Sequence, residues 1–203
     1  MSDFRFLTHV CNSSLIQDKE FVLRLVHNQN LTPKLLHELF RKCDFENFDL
    51  TDYRTQEILD HFVRHSQTTP DLINNVDAMF KNVPFIVLSA ITQSMYTTST
   101  ILDRESRSEN PKIAKYVAEN LSSSESALGT LLYHSDPEVV VEAIYNPNTN
   151  PDDIRKFMED GEIDDVIVAY ANEVLEKVLI VENHLKNDPL SKTMDQVRRV
   201  HMH

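Results

Sequence analysis

The chain has 203 residues, a formal net charge of −12, 41% apolar and 26% charged residues, a globular composition that excludes wholesale disorder. No apolar run reaches the ~20 residues of a membrane span, and the N-terminus, MSDFRFLTHV, lacks the basic-then-apolar layout of a signal peptide. The charge argues against a phosphate backbone as partner; a basic protein, or a partner recognised without electrostatics, fits better.

Two glycines beside eight prolines favour helices over a sheet built on glycine turns. The two cysteines, Cys11 and Cys43, supply neither a disulfide framework nor a Cys-only metal site, so a reducing cytoplasm is the expected compartment. Cys11 falls in a core slot, whereas Cys43 is nearer a helix end and more exposed.

Repeats are the main signal. Asp3 caps Phe6/Leu7/Val10/Cys11, the first amphipathic stripe. From there two helix types alternate. The A helices carry quartets spaced i, i+1, i+4, i+5, which fall on one side of a 3.6-residue helix. They are Phe21/Val22/Leu25/Val26, Ile58/Leu59/Phe62/Val63, Ile86/Val87/Ala90/Ile91, Ile113/Ala114/Val117/Ala118, Val139/Val140/Ala143/Ile144 and Val166/Ile167/Tyr170/Ala171. Their starts lie 37, 28, 27, 26 and 27 residues apart. After each of the first five comes a helix-capping residue, Thr32, Thr69, Thr98, Ser124 or Asn150, with proline next at Pro33, Pro70 and Pro151. The B helices follow: Leu35/Leu36, Leu72/Ile73, Ile101/Leu102, Ala127/Leu128/Leu131/Leu132 and Asp153/Ile154/Phe157/Met158. Asp136-Pro137 caps one A helix, and the A helices are otherwise read as uncapped. Val178-Leu179-Ile180-Val181 follows the last A quartet without Pro or Gly, so the final A and B helices fuse over Asp164–Leu185. Residues 186–203, with Arg198-Arg199, read as a basic tail or short helix outside the 1–185 repeat domain.

Three departures from the repeat are candidate contact sites. The first two A helices are about 10 residues further apart than the rest, and the extra segment near 43–53 alternates acids with Phe45, Phe48 and Tyr53. It is either a loop whose rings fold back onto the array or an exposed contact loop. The third B helix turns polar after Leu102, over Arg104, Glu105 and Arg107, as a short helix ending in a loop or as a docking point. Acids gather late, at Asp160, Glu162, Asp164 and Asp165 among others, where they solvate helix starts or attract a cationic partner.

The segment Asn146-Pro147-Asn148-Thr149-Asn150-Pro151-Asp152-Asp153-Ile154, preceded by Asp136-Pro137-Glu138-Val139, resembles the leucine-rich repeat variant family, α-solenoids of short repeats with Asn-Pro-x-Thr-Pro turns. Asn28-Gln29-Asn30-Leu31-Thr32-Pro33 and Ser66-Gln67-Thr68-Thr69-Pro70 resemble the same turn. The resemblance covers residues 18–185 and implies a scaffold related to HEAT and armadillo arrays, whose repeats are longer. The cysteine cluster that holds an iron–sulfur centre in one member has no counterpart here.

Catalytic and cofactor signals are lacking. His61 and His65 stand i, i+4, a spacing that can grip a metal, but HExxH and a third ligand are missing. Ser122-Ser123-Ser124 is a capped turn without GxSxG, and Gly129 and Gly161 are isolated, so no glycine-rich phosphate loop exists. The expectation is an all-α, right-handed solenoid of about five and a half helix pairs. Its function is that of a non-enzymatic, cytoplasmic protein-binding module with no cofactor or metal and no membrane contact. The alternative is a nucleic-acid-related protein. It either binds duplex through Lys34, Arg41, Arg104, Arg107, Arg155 and Lys156, or mimics DNA with its acids to block a DNA-binding protein.

Overall fold

A computed structural model describes residues 14–43, 45, 48–160 and 163–187. The expected Asp3-capped helix with Cys11, residue Glu162 and the tail beyond Asn187 lie outside the described residues. Among the described residues the chain is all-α. A 3₁₀ turn (Ser14–Gln17) leads into α1 (Lys19–Val26), α2 (Pro33–Lys42), α3 (Tyr53–Arg64) and α4 (Pro70–Ala78). Then come α5 (Phe85–Gln93), α6 (Ser99–Glu105), α7 (Pro111–Glu119), α8 (Glu125–Leu131), α9 (Pro137–Tyr145), α10 (Pro151–Glu159) and α11 (Asp165–Asn187). Each of α1, α3, α5, α7 and α9 packs on the next odd-numbered helix, up to α11. Helices α4, α6, α8 and α10 pack against odd-numbered neighbours, and α6 also against α8. This is a helical-repeat-like all-α fold.

The quartets become the core because their four side chains share one helix face. All four members are buried in α3, α7 and α9, as are Leu35, Leu36, Leu72, Ile73, Ile101, Leu102 and the Ala127–Leu132 set. Ile86 in α5 and Asp153 and Met158 in α10 are only half-buried, and two further stripes depart more from expectation. In α1 the buried side chains are Val22, Leu23 and Val26, with Phe21 and Leu25 only half-buried, a one-residue rotation of the stripe. In α11 Ile167 and Ala171 are buried, but Val166 is 59% exposed and Tyr170 is exposed. The outer half of that quartet has no further described repeat packed over it. The fused helix itself is present as one 23-residue element.

Caps set the helix starts. Thr32 and Thr69 accept from the NH three residues on at 3.3 Å, Ser124 does so at 3.1 Å, and Asn150 accepts from the Asp152 NH at 2.9 Å. Thr98 departs from the rule: its side chain caps nothing, and its hydroxyl donates to Asn74 Oδ1. The A helices other than α5, where Pro84 offers no side-chain cap, are capped too, contrary to expectation for all but the Asp136-Pro137 helix. Asp18, Asp52, Asn110 and Asp136 each accept a first-turn NH, and Asp164 does the same for α11. A carboxylate or amide there satisfies donors that no helical carbonyl can reach.

The A-to-B turns share one hydrogen-bond pattern. Asn28, His65, Ser94, Asn120 and Asn146 each accept, through the side chain, the NH two residues on. Each also accepts, through its carbonyl, the NH three residues on. The turns thus close without a left-handed residue; no described residue has positive φ. The same side chains tie successive turns together. His65, its Nδ1 occupied as acceptor, donates from Nε2 to the Asn28 carbonyl (3.2 Å). The Asn120 amide donates to the carbonyls of Thr92 (2.7 Å) and Ser94 (3.0 Å), and the Asn146 amide to those of Ala118 (2.6 Å) and Asn120 (3.1 Å).

The inserted segment is packed inward. Phe45 and Phe48 are buried, and the Phe45 ring lies 5.2 Å from Phe40, 5.4 Å from Phe48 and 6.2 Å from Phe62. Lys19 covers the Phe48 ring at 5.2 Å and pairs with Asp52 at 2.9 Å. Cys43, expected to be more exposed, is buried, because the returning segment covers the end of α2.

Candidate interaction surface

The acids expected to attract a partner are displayed where α10 gives way to α11. Asp160 ends α10 and is exposed; its carboxylate accepts the Tyr133 hydroxyl at 2.7 Å, which pushes the Tyr133 phenol up. Asp164 caps α11, accepting the Val166 NH at 2.8 Å, and Asp165 opens the helix; both are exposed. Cap and first-turn positions orient carboxylates outward from the helix start, so this geometry follows from local structure.

Asp164 also lines a groove of about 420 Å³ between α7, α9 and α11. Its apolar lining includes Val141, Val166 and Tyr170, and its polar lining Glu138, Glu142, Asp164 and Lys115. Lys115 pairs with Glu138 at 2.9 Å and lies 3.7 Å from Glu142. The hydrogen bond to Glu138 raises the Lys115 pKa, so the ammonium stays charged and neutralised. Nearby Glu119 titrates above its ordinary value, through burial first and then the Glu142 charge. Tyr145 donates to Glu173 at 3.0 Å and its ring meets Tyr170 at 5.6 Å, extending the aromatic edge of the groove. The arrangement presents apolar and aromatic surface rimmed by carboxylates.

The other candidates are scattered. Phe45 and Phe48 belong to the core and are not available as surface contacts; Tyr53, at the start of α3, is 66% exposed. Arg104 lies on α6, where both its terminal nitrogens reach the Asp77 carboxylate at 2.7 and 2.8 Å and its Nε reaches Glu105 at 2.6 Å. The bond to Asp77 pushes the guanidinium pKa still higher. Arg107 is exposed, Glu105 half-buried, and Ser106 between them buried. Of the proposed cationic strip, Arg104 and Arg155 are held in ion pairs, Arg155 with Asp152 at 2.5 Å, while Lys34, Arg41, Arg107 and Lys156 are exposed. His61 packs against His27, ring centroids 4.1 Å apart, whereas both nitrogens of His65 serve the turn.

Sequence reasoning missed the groove, because Val141, Lys115 and Glu142 are outward positions of A helices that carry no periodic signal. It also missed the turn-to-turn bonds, which join residues 26 to 37 positions apart.

The fold and surface define a helical-repeat-like protein with an acid-rimmed groove at its C-terminal end. Comparison with protein-family models, curated proteins and solved structures gives no match.

Proposed function

We propose that the chain is a non-enzymatic binding module that presents its acid-rimmed groove to a basic segment of a protein partner. The observation that carries this reading is that exposed Asp164 lines the same groove as Val166, Tyr170, Glu138 and Glu142, with exposed Asp165 next to it in the chain. Apolar area supplies adhesion, and rim carboxylates supply orientation and encounter rate. The repeat register supports a right-handed solenoid of about five and a half helix pairs akin to the leucine-rich repeat variants, a scaffold class whose stacked repeats leave long surfaces free to vary. A reducing cytoplasm suits its two cysteines.

The experiment is affinity capture of the partner, followed by binding measurements on the native chain and on an Asp160→Asn/Asp164→Asn/Asp165→Asn variant. The variant folds normally and associates more slowly with the partner. Unchanged association refutes the proposal.

A further inference from the structure

Turn-to-turn bonding is interrupted at one place among the described residues. Between the Asn28 and His65 turns, His65 reaches the Asn28 carbonyl and Ser66 donates to Gln29 Oε1 at 3.1 Å. Between the Ser94 and Asn120 turns, the Asn120 amide and the Ser122 hydroxyl donate to the carbonyls of Thr92, Ser94 and Met95. Between the Asn120 and Asn146 turns, Asn146 and Asn148 amides fill the same positions. Between the His65 and Ser94 turns, no described side chain donates to the equivalent carbonyls, those of Val63, His65 and Ser66. The reason is in the sequence: Ser94 stands where the next two repeats have asparagine, and its hydroxyl is too short to cross. Tyr96 stands where they have Ser122 and Asn148.

A cavity of about 490 Å³ opens at this junction, lined by Val63, His65, Ser66, Thr68, Ser94 and Tyr96 among others. Thr68 is 5% exposed, and its hydroxyl is the buried side-chain polar atom without a hydrogen-bond partner among the described residues. Its counterparts Thr97, Ser123 and Thr149 each donate to the carbonyl six residues before. A buried hydroxyl left unpaired is costly. Met95, 74% exposed, and Tyr96, 39% exposed, form an apolar lip beside the cavity.

The geometry points to a binding site for a primary amide side chain, Asn or Gln, carried by an extended segment of a protein partner. Its NH₂ takes the place of the missing Asn120-type amide and donates to the Val63 and His65 carbonyls, its oxygen accepts from the unpaired Thr68 hydroxyl of the same cavity, and its neighbours rest on Met95 and Tyr96. Arg64, the charged residue of the lining, is paired with Asp60 at 2.9 Å, so the site carries little net charge; it lies on repeats remote in sequence from the acidic groove and stands or falls separately from that reading.

The test is a ¹H–¹⁵N NMR titration of the full chain with N-acetyl-asparagine methylamide, compared with the alanine and arginine analogues. The expected result is a saturable shift confined to residues 63–68 and 93–97 with the asparagine compound, unchanged at high salt and absent with alanine. Ser94→Asn supplies the amide from within the chain; it raises Tm and weakens probe binding about tenfold or more. Thr68→Val, which keeps the shape and removes the hydroxyl, weakens probe binding without lowering Tm, and serves where Ser94→Asn does not fold. Equal shifts with the alanine analogue, preferential binding of the arginine analogue, or native-like binding by both variants would overturn the assignment.

Discussion

Thr68 and Thr149 occupy equivalent turn positions, yet only Thr149 has a partner, the Ala143 carbonyl. Thr149→Val therefore costs about 1 kcal/mol through a lost hydrogen bond, whereas Thr68→Val leaves the melting temperature unchanged or raised. Paired thermal melts check this contrast. His61 gives a second prediction. Burial, and then the neighbouring His27, holds its imidazole below the ordinary value of 6.5. The unfolded chain therefore binds more protons than the folded one near that pH, so this contribution to stability is full at higher pH and fades as pH falls through 6.5. His61→Gln flattens the fall in Tm across that range, and a variant as pH-sensitive as the native chain would contradict the assignment. Neither residue announces itself in the sequence. Thr68 reads as part of the turn before the Thr69 cap and His61 as one of a pair with His65, because neither burial nor hydrogen-bond partners are written in their spacing.

At the scale of the element, period and cap together made the helices legible. Leu128, Leu131, Val139 and Ile144 were placed in the core by spacing alone, and all are buried. Leu131→Ala, at a fully buried site, costs about 2–5 kcal/mol, and Lys156→Ala stays within about ±0.5 kcal/mol; equal melts would refute the stripe. Of the A-helix caps only Asp136 was read from the sequence, although Asn110-Pro111 carries the same signal as Asp136-Pro137. The inserted segment was ambiguous for a physical reason: alternating acids and rings fit a contact loop and a folded-back loop equally, and only the aromatic contacts of Phe40 and Phe62 select the second. Helix α6 is seven residues long and buries only Ile101 and Leu102. Amides over residues 103–109 accordingly exchange faster than those over 127–132, a difference hydrogen-exchange mass spectrometry reads directly.

At the scale of the whole molecule, the net charge of −12 is what motivates the proposed basic partner. Arg104 of α6 and Arg155 of α10 are held in pairs with Asp77, Glu105 and Asp152, which weakens any continuous basic strip. A gel shift with duplex DNA at about 150 mM salt shows no complex. A complex abolished by Arg104 and Arg107 substitutions would make the nucleic-acid reading primary. Asp160, Asp164 and Asp165 were legible in sequence, but the groove that Asp164 lines required α7, α9 and α11 to be brought together. The most direct measurement is the association rate of the captured partner as a function of ionic strength, for the native chain and for the Asp160/Asp164/Asp165→Asn variant. Rim charges act mainly on encounter. The native rate should therefore fall steeply as the Debye length shrinks below about 10 Å, while the variant starts slower and falls less. A native rate indifferent to salt, or a variant with the native salt slope, would contradict the account.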